Sequence, residues 1–270
     1  MPAPESSQGI GGALSRWLRL PETAGLDLDD PQLTEMRFRI IERKPFLRRV
    51  YERFYGELLG AARGVPAGPQ VEFGAGGGFL KDFAPQVKTS EFLAVRGVDV
   101  RTSAEAMPFA DASLAAVYML DVLHHLPHPR DFFAELTRCL KPGGRAVMIE
   151  PYLSTWSRFV YGRLHHEPVD LKAPWELASS GPLSGANTAL PWIIFERDAA
   201  EFRRTYPQLS LVTYRPFMPF SYILSGGVSL RSLAPGFSFP LVHALEVALS
   251  PLNRQLAMFC LIVVERGATK

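Results

Sequence analysis

The stretch VEFGAGGGFL at residues 71–80 places an acidic side chain inside an apolar run and then puts glycine at positions 74, 76, 77 and 78. Glycine costs chain entropy in regular structure, so a cluster is kept where the backbone needs unusual dihedrals or something must approach it closely. The apolar run before the cluster, and the helical spacing of Phe79, Leu80 and Phe83 after it, describe a strand, a tight turn and the start of a helix rather than a linker. A turn of that kind is a general ligand-binding device, because a helix start presents free N–H groups.

The segments that follow alternate. Apolar runs recur at 87–92, at VDVRTSA (98–104), at LAAVYML (114–120) and at RAVMIEP (145–151). Between the last two, RDFFAELTRCL carries Phe132, Phe133, Leu136 and Leu140 at helical spacing and leads into a KPGG turn. Strands separated by helices and short loops predict an α/β layer built on a parallel sheet. The link between the second and third strands is about six residues, too short for a helix of ordinary length.

Upstream, 1–30 is rich in Pro, Gly, Ser and Ala and reads as a flexible N-terminus. The region 31–66 is a helical segment with Met36, Ile40, Ile41, Phe46, Leu47, Val50, Phe54 and Leu58 on its apolar positions, split by Pro45. The remainder, 67–270, reads as one domain in which LSLVTYR (209–215) and LAMFCLIVVE (256–265) return to the sheet as strands. The Pro- and aromatic-rich stretch 152–250 supplies insertions over the acceptor side. FPLVHALEVAL (239–249) is expected to pack in the core or as a lid, because it lacks the Lys and Arg of a helix lying on a membrane surface.

Composition narrows the partners. With 29 basic and 27 acidic residues the net charge is +2, and no basic stripe interleaved with aromatics marks a nucleic-acid surface. Cys139 and Cys260 stand in separate apolar runs, as free thiols of a reducing compartment do. The apolar run LAMFCLIVV (256–264) is too short to span a bilayer, and the first residues lack the pattern of a secretory signal. A cytoplasmic protein acting on a small molecule is expected.

The dinucleotide pattern G-x-G-x-x-G fails, since the sixth position from Gly74 is Phe79, and no G-K-[ST] triplet follows for a phosphate loop. The pattern that fits is E-x-G-x-G-x-G, with Glu72, Gly74, Gly76 and Gly78 in register. An acid in the first strand repels a pyrophosphate but suits a ligand carrying an ammonium group. On these residues the chain resembles the class I S-adenosylmethionine (SAM) methyltransferases, in particular the type 11 group that includes quinone-biosynthesis C-methyltransferases. The resemblance runs through about 70–152: AEAMPFADASL, LDVLHHLPHP and LTRCLKPGGRAVMIEPY are similar to the family's later motifs and stand in their order.

The resemblance implies a Rossmann-like fold with a seven-stranded, mostly parallel sheet, N-terminal helices and a C-terminal lid or insertion, and SAM as cofactor. It implies that Glu72, Gly74, Ala75, Gly76 and Gly78 wrap the methionine part. Glu91, at the end of the second strand, is the chosen partner of the ribose hydroxyls in preference to Asp99. Ser103 stands where the family has an acid near adenine, leaving adenine to the backbone of Ala104 and to apolar packing. Asp121 and Val122 should border the cofactor at the end of the fourth strand.

Methyl transfer from a sulfonium is a direct displacement, so alignment and exclusion of water supply much of the catalysis. An oxygen or carbon acceptor also needs a proton removed near neutral pH. His124 and His125 follow Asp121 directly and are candidate bases, with structural roles as the alternative. RLHHEPVD adds His165, His166, Glu167 and Asp170, and His166 is the third candidate. Its spacing is not that of a zinc helix, so no metal is expected. Tyr152, Trp156 and the aromatics of 214–239 suggest an apolar pocket, and hence a small organic or lipid-linked acceptor methylated on oxygen or carbon. A nicotinamide oxidoreductase is disfavoured by Phe79 and by the absence of any Tyr-x-x-x-Lys pair. The non-enzyme alternative is a degenerate methyltransferase fold that binds a partner, for which Ser103 is the best support.

Overall fold

The computed structural model describes residues 20–23, 29–76, 79–164, 167–177, 181 and 185–267. Gly78 and His166 lie outside the described residues, as does most of the N-terminal stretch 1–30.

Seven strands form one sheet: β1 (Gln70–Phe73), β2 (Lys88–Glu91), β3 (Val100–Arg101), β4 (Leu114–Leu120), β5 (Leu140–Pro151), β6 (Leu209–Phe217) and β7 (Phe259–Arg266), in the order β3-β2-β1-β4-β5-β7-β6. The first five are parallel neighbours, and β7 runs antiparallel between β5 and β6. In β4 the residues from Leu114 to Met119 are all buried, the continuous apolar run of a parallel strand covered on both faces. The order reverses between β1 and β4, where Phe73 stands opposite Met119. A crevice at the carboxyl ends of those two strands is the place where open α/β sheets bind ligands.

The expected helix after the glycine turn is only a 3-10 turn, Phe79–Asp82, and none of the residues between β2 and β3 is helical. KPGG is likewise not a turn ahead of a strand. It is a bulge within β5: pairing slips from Leu114–Leu140 to Ala116–Arg145. Gly143 has φ +77°, and a Cβ on Gly144 would lie 2.9 Å from the Lys141 carbonyl oxygen.

Helix α1 (Pro31–Arg43) starts where Asp30 accepts the Gln32 N–H at 2.8 Å. Helix α2 (Pro45–Ala61) starts at the proline that interrupts α1. At the joint, the buried Lys44 donates from Nζ to the carbonyls of Gly227 (2.6 Å) and Leu230 (2.7 Å). Along α2, Phe46, Leu47, Val50, Phe54, Tyr55 and Leu58 are buried at helical spacing. The Phe54 ring meets Phe217 of β6 and Phe259 of β7 edge to face, so these helices share the core of the sheet. Burial of a phenylalanine of this kind contributes about 2–3 kcal/mol.

Helix α3 (Pro129–Cys139) packs against β5 and buries Phe132, Phe133 and Leu136. Beyond β5 follow α4 (Thr155–Leu164), α5 (Ala199–Thr205), α6 (Ser221–Ser225) and α7 (Phe239–Ala248). The expectation of core packing for 239–249 fails for most of α7. Leu241 is 75% exposed and Leu245 51%, while its one buried residue is Glu246. That carboxylate accepts the Phe220 (2.9 Å) and Ser221 (2.7 Å) N–H groups and pairs with Arg53 of α2. The helix is therefore anchored by a buried ion and leaves an apolar face outward. Among the described residues, no helix is long and apolar enough to cross a membrane.

Candidate active site

Two turns meet at the reversal of the sheet. After β1 the backbone turns through Gly74 (φ +67°) and Gly76 (φ +56°), a region in which a side chain is strained. A Cβ on Gly74 would lie 2.3 Å from Val122 Cγ2, so the first turn rests directly on the one after β4. Gly76 has room, with Thr34 Cγ2 of α1 the nearest atom at 3.6 Å; there the dihedral calls for glycine. The Ala75 N–H donates to the Ser90 carbonyl at 3.0 Å, tying the turn to β2.

At the tip of β2, Glu91 accepts the Gly76 N–H on Oε2 and the Phe92 N–H on Oε1, both at 2.9 Å. Glu72, one strand over, is 1% exposed, and its Oε2 has no hydrogen-bond partner. Burial, then the nearby Glu91 charge, holds the Glu72 carboxyl up to about 8. An orphaned carboxylate oxygen under a glycine turn is costly unless a donor reaches it. A ligand ammonium is such a donor, and its charge would favour ionisation of Glu72. The residues thus fit the amino-acid end of SAM. Asp99 is otherwise engaged: it accepts the Thr89 N–H at 2.8 Å and pairs with Lys81 at 2.6 Å, which holds it below the usual carboxylate range. The Ser103 hydroxyl accepts the Glu105 N–H at 3.0 Å, closing its own loop, and Ala104 is buried.

After β4, Asp121 takes φ +63° and the chain enters a 3-10 turn, Leu123–His125. This turn is organised by Glu150 at the end of β5, which is fully buried. Its Oε1 accepts the N–H groups of Val122 (2.9 Å) and Leu123 (2.7 Å), and its Oε2 bonds His124 Nδ1 at 2.7 Å. The other ring nitrogen of His124 lies 3.3 Å from Glu167 Oε2. Burial opposes a charge on His124, but the bonds to Glu150 and Glu167 outweigh it and raise its pKa well above 6.5. With both nitrogens engaged, this imidazolium offers no lone pair for a proton, which weighs against its use as a base.

His125 differs. Its Nδ1 lies 3.3 Å from the Gly185 carbonyl, and Nε2 is 3.7 Å from Glu167 Oε1. Burial and then the His124 charge push its pKa down to about 3, so the ring is neutral. The two imidazoles stand 4.2 Å apart and both address Glu167. Among the described residues of RLHHEPVD, the structure therefore brings Glu167 to the histidine pair. Asp170 instead caps a turn at Lys172 and takes no part in the described cluster. Tyr152 donates its backbone N–H to Met258, and Trp156 donates from Nε1 to Pro219 and stacks on Phe159. Glu150 is the organising residue that the sequence reading passed over. Its signal was present, since it is an acid in an apolar strand just as Glu72 is.

Residues 72–148 match the family model described as Methyltransferase domain. Proteins described as uncharacterized methyltransferases from Mycobacterium avium (strain 104) and Mycolicibacterium paratuberculosis (strain ATCC BAA-968 / K-10) are each 42% identical to this chain over 52 residues. That match covers 19% of this chain and 21% and 20% of theirs, so the chain spans about a fifth of the length of the curated relatives it matches. Among solved structures, geranyl diphosphate C-methyltransferase from Streptomyces coelicolor A3(2) is similar with a TM-score of 0.51. Its identity is 16%, with 88% of this chain and 86% of that one covered, a likeness of fold. Residues 72–148 thus match a methyltransferase domain, set in a Rossmann-like sheet of mostly parallel strands.

Proposed function

We propose that this protein transfers a methyl group from SAM to a small organic or lipid-linked acceptor, on oxygen or carbon. The observation that carries the reading is Glu72, a buried carboxyl with one orphaned oxygen beneath a left-handed glycine turn. Bound SAM would supply a methyl group activated by a sulfonium, with the neutral thioether as the leaving group. Glu72 takes the ammonium group, Gly74 and Gly76 keep side chains away from it, and Ala75 holds the turn to β2. Glu91 has lone pairs beyond those used by the Gly76 and Phe92 N–H groups, and these serve the ribose hydroxyls. Ser103 and Ala104 lie on the loop assigned to adenine, and Asp121 and Val122 form the wall toward the acceptor.

Between the two described histidine candidates, His124 positions the turn after β4, and His125 keeps a neutral ring facing the acceptor side. Aromatic packing of Trp156 with Phe159 and Phe220 supports an apolar acceptor. The Streptomyces enzyme, whose substrate is named as geranyl diphosphate, is a precedent for such an acceptor on a similar fold. Cys139 and Cys260, buried and free, support a cytoplasmic setting.

The test is transfer of labelled methyl from SAM to a panel of phenols, quinols and isoprenoid lipids. A labelled product whose formation stops in Gly74→Val supports the reading. A folded protein that binds SAM yet labels none of them favours the partner-binding alternative.

A further inference from the structure

We propose that His124, His125 and Glu167 form a binding site for a divalent transition-metal ion with the ligand preferences of zinc. The site goes beyond methyl transfer and stands whether or not the chain uses SAM. One donor atom from each of the three residues lies within 4.8 Å of the others. Glu167 reaches both rings: Oε2 is 3.3 Å from His124 Nε2, and Oε1 is 3.7 Å from His125 Nε2. Two donors each bound at about 2.0–2.1 Å to a tetrahedral ion stand about 3.3 Å apart. The two carboxylate–imidazole pairs are thus near ligand spacing, and an incoming ion displaces the proton that His124 Nε2 shares with Glu167.

The outer contacts make the stronger case. A ligating imidazole usually donates its remote N–H to a carboxylate or backbone carbonyl, which fixes the ring and aims the other nitrogen at the metal. Both histidines show this arrangement. His124 donates from Nδ1 to Glu150 at 2.7 Å, and Glu150 is itself held by the Val122 and Leu123 N–H groups. His125 donates from Nδ1 to the Gly185 carbonyl at 3.3 Å. Glu167 is steadied by the Thr188 hydroxyl, which donates to Oε2 at 3.4 Å.

Charge also favours a cation. Among the described residues, the carboxylates of Asp121, Glu150 and Glu167 act on the histidine pair, with Arg37 as a more distant opposing charge on His125. Two imidazoles with one carboxylate suit zinc and its neighbours better than magnesium or calcium, which prefer all-oxygen shells. Three protein ligands leave a position open, which an acceptor oxygen could take and be acidified there.

The experiment uses the untagged full chain, stripped with a chelator and checked for fold by circular dichroism, then titrated with Co²⁺ as the optical probe. The expected result is one equivalent of Co²⁺ giving ligand-field bands of a four- or five-coordinate site, displaced by Zn²⁺. His125→Ala and Glu167→Gln, both at partly exposed positions, should each weaken binding at least tenfold while the fold is retained. Absence of a stoichiometric Co²⁺ spectrum in the folded protein would overturn the proposal. So would binding that persists at full strength in either variant.

Discussion

Replacing Glu72 by Gln should make the cofactor-free protein more stable and a poorer binder of SAM. Folded, Glu72 keeps its proton up to about pH 8, whereas an unfolded chain releases it near 4.5. Across that window the folded state binds the extra proton, so stability is highest below 4.5 and falls as pH rises through 8. At ~1.36 kcal/mol per pH unit, Glu72 alone removes about 2 kcal/mol between roughly pH 6 and pH 8. Gln keeps the shape and does not titrate. The stability difference between variant and wild type should therefore grow by about 2 kcal/mol over that range, or ~4–8 °C in Tm for a chain of this size. Over the same range the variant should bind SAM at least tenfold more weakly, because the ammonium partner is gone. Urea melts at the two pH values and a calorimetric titration read both effects. Stability curves that stay parallel from pH 6 to 8, or an unchanged affinity for SAM, would refute the reasoning.

Two further substitutions probe the frame of the site. Gly74→Ala places a methyl group 2.3 Å from Val122 Cγ2 at φ +67° and should cost about 2–4 kcal/mol in urea unfolding. Val122→Ala in the same chain should return about 1–2 kcal/mol of that, and strict additivity of the two changes would contradict the contact. Glu246→Ala strands the Phe220 and Ser221 N–H groups and the Arg53 charge, and should cost about 3–5 kcal/mol. A loss below 1 kcal/mol would mean that α7 is not anchored through this carboxylate.

What could be read from the sequence divides along physical lines. LAAVYML is legible residue for residue as β4, because a parallel strand buried on both faces is one uninterrupted apolar run. FPLVHALEVAL shows the same density of apolar residues and reads as buried, yet most of α7 faces outward; composition cannot report which neighbours arrive. KPGG carries the residues of a turn, and only the pairing of Ala116 with Arg145 shows that the strand passes through it as a bulge. Glu72 stands out because an acid interrupts an apolar strand beside glycines. Glu150 carries the same signal without the glycines, so its hold on Val122, Leu123 and His124 emerges only from the structure. The approach of Glu167 to the histidine pair has no local pattern at all, since α3, β5 and α4 separate them along the chain.

The central claim is that Glu72 and the glycine turn hold the amino-acid end of SAM. It is tested most directly by calorimetric titration with S-adenosylhomocysteine, which keeps the ammonium group, at pH 7 in two buffers of different ionisation enthalpy. With Glu72 near pKa 8, about nine-tenths of it is protonated at that pH. The account predicts one binding site and release of up to about one proton, with the release abolished in Glu72→Gln. Binding with no buffer dependence, or no binding by the folded protein, would contradict it.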